Sequence, residues 1–293
     1  MINFEKVTLE DKQFAEKCMR AANQRGCEYT FANLFNWAEV YGIKIARHGD
    51  FLLMKNADGE YMFPVGSGNI DEALLTLEKD AEENGKNFVI YGIPKDKIEV
   101  VERVFPDRFD FESDEGHADY IYSRESLATL AGKKLHAKRN HVNKFIANNP
   151  DWKYERLNEE NLHEAREMAQ EWCRQLGCES EGLKKESCAV KSAFDHFFEL
   201  GLIGALLRVG DRVVACTIGS EITDDSFDVH IEKAFPDVDG AYPMINQQFV
   251  KNELSKYEYV NREEDMGEPG LRKAKLSYRP AMMFERFAAV EKK

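Results

Sequence analysis

Hydrophobic and polar positions change period several times along the chain, and the changes mark out two similar programmes. A short strand over residues 4–7 precedes a helix over 10–23, with Thr8 as its cap and Asp11 in an acidic first turn. A second helix follows over 31–40. Three short alternating runs, 41–47, 51–55 and 61–65, are separated by His48-Gly49-Asp50 and Asp58-Gly59, which predicts a meander. Leu74, Leu77 and Ala81 share one face of a helix over 71–84 that Gly85 stops. A buried strand over 88–91, a helix over 95–104 and closing strands over 109–111 and 118–122 complete the first half.

The second half repeats the order. It reads as a strand over 152–156, helices over 159–175 and 185–200, then strands over 203–209, 212–220 and 226–234. Gly210-Asp211 and Thr223-Asp224-Asp225 supply the turns. A helix over 241–254, a strand over 257–260, a short helix over 270–276 and a last strand over 282–287 follow. This succession predicts an α/β (α+β) chain in which each half is one mixed sheet flanked by helices. The expected division is residues 1–125, a linking helix over 126–150, and residues 151–293.

The linking segment has an unusual composition. From Ser126 to Pro150 there is no Asp or Glu, while Lys133, Lys134, Lys138, Arg139 and Lys144 are basic. Leu135, Val142 and Ile146 fall at helical spacing, so 127–147 reads as largely helical with one basic face, ended by Asn148-Asn149-Pro150. Two readings stand side by side: a solvated linker, or a face for the phosphates of a tRNA, a coenzyme or a lipid headgroup.

Charge narrows the partners. Lys plus Arg number 40 against 53 Asp plus Glu, a net charge of -13, which excludes a protein that coats DNA or an anionic membrane with its whole surface. With 43% hydrophobic residues, each half can bury a core of its own. No run reaches the roughly 18 apolar residues of a membrane span, and Met-Ile-Asn-Phe-Glu-Lys at the N-terminus lacks an apolar signal region. The expectation is a cytoplasmic protein with no integral membrane segment. Cys18, Cys27, Cys173, Cys178, Cys188 and Cys216 contain no C-x-x-C pair and are expected to be reduced thiols. Cys173, Cys178 and Cys188 with His163 and His196 fit no familiar zinc spacing, so no metal is expected.

Candidate chemistry concentrates on the strand over 226–234. Phe227, Val229 and Ile231 point one way, and Asp228, His230 and Glu232 the other. Three ionisable side chains on one strand face suit acyl transfer, which needs a base for the nucleophile and donors for the oxyanion. Glu232 or His230 is the candidate base, and backbone N–H groups of this strand are candidate oxyanion donors. The plainer reading is a half-exposed strand showing its polar face.

Three motifs carry a resemblance. They are Lys133-Lys134-Leu135-His136-Ala137-Lys138-Arg139-Asn140-His141, then His230-Ile231-Glu232-Lys233-Ala234, then Asn261-Arg262-Glu263-Glu264-Asp265-Met266-Gly267 with Gly270-Leu271-Arg272-Lys273-Ala274-Lys275. They resemble the bacterial family related to the C-terminal domain of phosphatidylglycerol lysyltransferases, distant cousins of the Fem peptidyltransferases. The resemblance implies tandem GNAT-like (acyl-CoA N-acyltransferase-like) domains. It also implies transfer of an aminoacyl group from aminoacyl-tRNA to an amine or hydroxyl acceptor, with no cofactor beyond that donor. The acceptor class stays open among a small molecule, a peptide and a lipid headgroup. An acyl-CoA-dependent N-acyltransferase and a non-catalytic binder of a tRNA end or phosphorylated metabolite are the alternatives.

On these motifs Lys134, Lys138, Arg139, His141, Arg272, Lys273 and Lys275 become candidates for the donor's phosphates or carbonyl oxygen. Glu263, Glu264 and Asp265 become candidates for its amino group, against the plainer role of acidic residues capping the following helix. Tyr242 and Tyr278 are the available phenols for a leaving-group acid. GNAT enzymes hold coenzyme A pyrophosphate with a glycine-rich loop at a helix N-terminus. The corresponding Asp237-Val238-Asp239-Gly240-Ala241-Tyr242 keeps one glycine and adds two carboxylates, which favours a donor other than coenzyme A.

Overall fold

A computed structural model describes residues 2–176 and 181–292. Two compact units emerge: one comprises Met1–Asp119, Glu264–Glu268 and Met283–Lys293, the other Tyr120–Glu263 and Pro269–Met282.

The first unit opens with β1 (Glu5–Lys6), α1 (Lys12–Ala22) and α2 (Phe31–Tyr41). Thr8 begins the first helical turn as expected, its backbone N–H donating to the Asp11 carboxylate at 3.0 Å. Thr30 caps α2, with its hydroxyl accepting from Asn33 N–H at 3.1 Å. The meander is β2 (Lys44–His48), β3 (Phe51–Lys55), β4 (Tyr61–Met62) and β5 (Val65–Gly66). After it come α3 (Ile70–Glu83), β6 (Ile90–Pro94), α4 (Ile98–Val104) and β7 (Phe109–Glu112). Phe88, Phe105 and Phe109 meet edge-on with ring centroids 5.5–5.9 Å apart, and Leu74, Leu77 and Val101 pack into the same core.

The second unit contains β8 (Asp119–Ser123), α5 (Arg124–Thr129), α6 (His136–Asn148), β9 (Trp152–Arg156), α7 (Leu162–Leu176) and α8 (Glu181–Asp195). Then follow β10 (Ile203–Val209), β11 (Arg212–Thr223), β12 (Ser226–Ala234), α9 (Ala241–Glu253), β13 (Tyr259–Asn261) and α10 (Pro269–Leu276). The chain ends with β14 (Met282–Phe284) and β15 (Arg286–Glu291).

Both units run the predicted programme: antiparallel strands, a crossover helix, then a parallel neighbour. In the first, β4 and β6 are parallel across α3; in the second, β12 and β13 are parallel across α9. Two strands, however, do not lie where contiguous halves would put them. Residues 118–122 were expected to close the first sheet, but β8 pairs antiparallel with β13, in the order β14-β8-β13-β12-β11-β10-β9. The last strand expected in the second sheet, 282–287, divides: β14 does lie in that sheet, while β15 sits between β6 and β7 in the order β1-β2-β3-β4-β6-β15-β7. Alternation identifies a strand without saying which edge completes its hydrogen bonds.

The linking helix also differs from its expectation. It splits into α5 and α6 because Leu130 takes φ 49° and Gly132 φ 82°, values that no helix accommodates. Leu135, Val142 and Phe145 fill the core, while Ile146 is exposed. Cys18, Cys27, Cys188 and Cys216 are free thiols as expected. Cys173 departs from the expectation by being disulfide-bonded, since a disulfide requires close Cβ atoms and not a C-x-x-C spacing. Cys178 lies outside the described residues. Among the described residues no helix is long and apolar enough to cross a membrane.

Candidate active site

The site in the second unit starts from an irregularity in the sheet. Between β11 and β12 the register runs Ile218↔Ile231 and then Gly219↔Val229, so His230 is an extra residue on β12. A β-bulge of this kind turns a side chain out of the regular alternation. Gly219 makes it possible, because a Cβ there would lie 2.0 Å from the Asp228 carbonyl oxygen. Beside it Ser220 pairs with Asp228 across the ladder, and Asp228 pairs with Asn261 of the parallel strand β13.

These three strand positions and the segment after β13 build one cluster. His230 Nε2 lies 2.8 Å from Ser220 Oγ, while His230 Nδ1 lies 3.1 Å from Glu263 Oε1 and 3.3 Å from Asp228 Oδ2. Asp228 is fully buried, and the His230 side chain is 7% exposed. Glu263 reaches His230 because the chain reverses there: Glu263 takes φ 55°, and its N–H donates to Asn261 Oδ1 at 2.7 Å. Lys275 from α10 braces the reversal, its buried ammonium donating to the Arg262 carbonyl and, at 3.0 Å, to the Glu263 carbonyl.

A second cluster adjoins the first along β12. Glu232 accepts from Arg262 Nη2 at 2.6 Å and from Asn246 Nδ2 of α9 at 2.8 Å. The Arg262 guanidinium lies 4.7 Å from the ring centre of Tyr278 and 5.6 Å from that of Tyr122, a cation–π stack. Lys138 from α6 lies over the same Tyr278 ring at 4.2 Å. Burial, with help from the Arg262 charge, holds the Lys138 ammonium below its ordinary pKa, and Glu232 opposes them. Burial pushes the Tyr242 phenol up to about 12, and Tyr278 is raised by the same cause, so neither yields a proton readily near neutral pH.

The remaining sequence candidates separate. Glu264 and Asp265 do not join Glu263, since the positive φ at Glu263 sends successive side chains apart. Glu264 belongs to the first unit, 3.6 Å from Arg286, and Asp265 is fully buried with its carboxylate accepting from Gly267 N–H at 2.8 Å. Lys275 is a brace for the backbone and not an exposed ligand. Arg139 donates to the Leu130 and Gly132 carbonyls and so caps the break between α5 and α6. Lys134 and Lys273 are exposed, and Arg272 is half-buried.

The α9 N-terminus differs from a phosphate-binding loop. Asp239 is paired with Lys144 at 2.6 Å and His141 at 3.3 Å, and Asp237 with Arg212 at 2.9 Å. Gly240 packs so tightly on α6 that a Cβ would lie 2.4 Å from the His141 carbonyl oxygen.

Two groupings among the described residues have donor atoms close enough to share a metal ion: Asp228, His230 and Glu263 in the second unit, and Cys27, Asp119 and Glu264 in the first. In the first unit Arg286 already supplies the cation, paired with Asp119, with Glu28 at 3.2 Å and with Glu264. Burial, opposed by Arg286 and assisted by the Asp119 charge, raises the Glu28 carboxyl to about 7. Sequence reasoning missed this cluster, because its members lie far apart along the chain. It also missed Ser220 and Asn246, which lie on elements it identified but whose facing no single-strand pattern gives.

A family profile described as the C-terminal region of phosphatidylglycerol lysyltransferase matches residues 19–290. A conserved protein of unknown function from Bacteroides thetaiotaomicron superposes with a TM-score of 0.95 at 40% identity, covering 100% of both chains. L-PGS from Bacillus licheniformis gives a TM-score of 0.68 at 14% identity, over 99% of this chain and 93% of that one. FemX gives 0.59 at 9% identity, over 98% and 97%. At such identities the last two show the fold alone, which is shared with L-PGS and FemX. An uncharacterised protein of Mycoplasmoides gallisepticum is 23% identical over 175 residues, 59% of this chain, so the match spans 56% of the length of that curated relative. With the profile spanning nearly its whole length, the chain belongs to the phosphatidylglycerol lysyltransferase C-terminal family of transferases.

Proposed function

We propose that the protein transfers an aminoacyl group from aminoacyl-tRNA to an amine or hydroxyl acceptor, with His230 as general base. The observation that carries this reading is the placement of His230 on a bulge between Asp228 and Glu263. Facing two carboxylates, Nδ1 carries the ring proton, and Nε2 is left as the acceptor that a base requires. The adjacent Glu232–Arg262 pair and Lys138 supply fixed charge beside the reacting group, and backbone N–H groups of the bulge are the proposed oxyanion donors. Family membership supports the transferase class. A coenzyme A donor is disfavoured because Asp237 and Asp239 are ion-paired and Gly240 abuts α6 where pyrophosphate would lie.

The test is transfer of radiolabelled amino acids from a charged tRNA pool to acceptors in a desalted cell extract. Wild type is expected to transfer at least one amino acid, and His230→Gln to do so about 100-fold or more slowly, in line with the loss of a general base. Transfer of nothing by wild type, from any charged tRNA, refutes the reading. Salt-sensitive tRNA binding without turnover leaves only the non-catalytic binder.

A further inference from the structure

We infer that Ser220 is a nucleophile, and that transfer runs through an acyl-enzyme ester on its hydroxyl. This rests on the transferase reading and deepens it. The geometry is that of a serine, a base and an orienting acid: Ser220 Oγ at 2.8 Å from His230 Nε2, with Glu263 and Asp228 at 3.1 and 3.3 Å from His230 Nδ1. Such constellations are recognised by geometry and role, whatever the fold or chain order. The carboxylates fix the tautomer, so the serine hydroxyl donates to Nε2 and is directed at the nitrogen that takes its proton. The backbone aims both groups. Ser220 follows Gly219, the residue that admits the bulge, and His230 is the bulged residue itself. The bulge leaves His230 with no ladder partner of its own. Glu263 is held in place independently, by Asn261 and by the Lys275 brace, so it is a positioning residue.

The steps balance. Ser220 Oγ attacks the acyl carbonyl of the donor ester as its proton passes to His230 Nε2. The carbonyl-to-alkoxide bond breaks, and the leaving oxygen takes that proton from His230. The acceptor's N–H or O–H then gives a proton to Nε2 as its heteroatom attacks the Ser220 ester. The Oγ–acyl bond breaks, and His230 returns the proton to Oγ. No water is consumed, and no redox partner is needed.

The test separates this from the reading it rests on. Full-length protein is incubated with a fluorophosphonate, which loses fluoride to an activated serine hydroxyl, and the adduct is located by peptide mass spectrometry. The expected result is one adduct on Ser220, absent in Ser220→Ala and formed at least tenfold more slowly in His230→Gln. Thermal melting of each variant certifies folding, and Ser220→Cys, of nearly the same size, should instead take iodoacetamide at that position. No adduct on Ser220 in folded wild type, or equal labelling of His230→Gln, overturns the inference. So does undiminished aminoacyl transfer by Ser220→Ala, which leaves the transferase reading intact. Labelling of Ser220 without transfer to any acceptor refutes the transferase reading and leaves the activated serine standing.

Discussion

At the scale of single residues, the site depends on charges held where water is scarce. Arg262 and Glu232 are both mostly buried and bonded at 2.6 Å, so removing one strands the other. Breaking a buried pair by deleting one partner costs about 3–5 kcal/mol. Arg262→Met is therefore expected to lower stability by a few kcal/mol in urea titration, and Glu232→Gln/Arg262→Met together to recover part of that loss. Two buried groups also make stability depend on pH, in opposite directions. Lys138 has a folded pKa below its ordinary 10.5, so the unfolded chain binds the proton more readily, and stability rises with pH between those two values. Wild type should gain on Lys138→Met as pH rises towards 10.5, seen as convergence of their urea midpoints. Glu28 has its folded pKa raised from 4.5 to about 7, so the folded state binds the proton more readily, and stability falls as pH rises through that window. Glu28→Gln should flatten that slope, and an unchanged slope would assign it to other groups.

At the scale of elements, the strand β12 shows how far a sequence can be read. Its alternation gave Asp228, His230 and Glu232 as one polar set, but the bulge shifts the phase, so Asp228 and His230 meet Glu263 while Glu232 turns with Val229 towards Asn246 of α9. The bulge that turns His230 towards Ser220 depends on the partner strand, because only Gly219 tolerates the Asp228 carbonyl so close. A glycine in a strand signals a bulge or close approach without telling which. Gly219→Ala is expected to destabilise the second unit by about 1–3 kcal/mol or more, since the collision is with backbone that cannot rotate away. It should also slow fluorophosphonate labelling of Ser220 in whatever fraction remains folded. The basic segment was legible as composition but not as a surface. Arg139 turned inward to carbonyls, Lys138 onto Tyr278, and Lys144 to Asp239, because bare carbonyls, an aromatic face and a carboxylate compete for those cations once the chain is folded. Lys275 was misplaced for the same reason: two carbonyls of a strained turn attract its ammonium more effectively than solvent does.

At the scale of the whole molecule, the first sheet borrows a strand from outside its long stretch of sequence. The long first segment, Met1–Asp119, supplies every strand of its sheet except one, and that one, β15, is not at an edge. Both sides of β15 are hydrogen-bonded, to β6 and to β7, and Ala289 at its middle is fully buried. Ending the chain at Glu285 is thus expected to leave β6 and β7 with open edges and to send the protein into inclusion bodies, whereas trimming only the last two residues should be silent. Such an arrangement bears on how the chain is made. A ribosome delivers the N-terminal segment long before it delivers residues 286–291, so during synthesis the first sheet waits half-zipped while about 170 further residues emerge. The second sheet waits almost as long for its own last strand, β14, which lies beside β8. Both sheets are therefore expected to close only at the end of synthesis, once residues 282–291 have emerged.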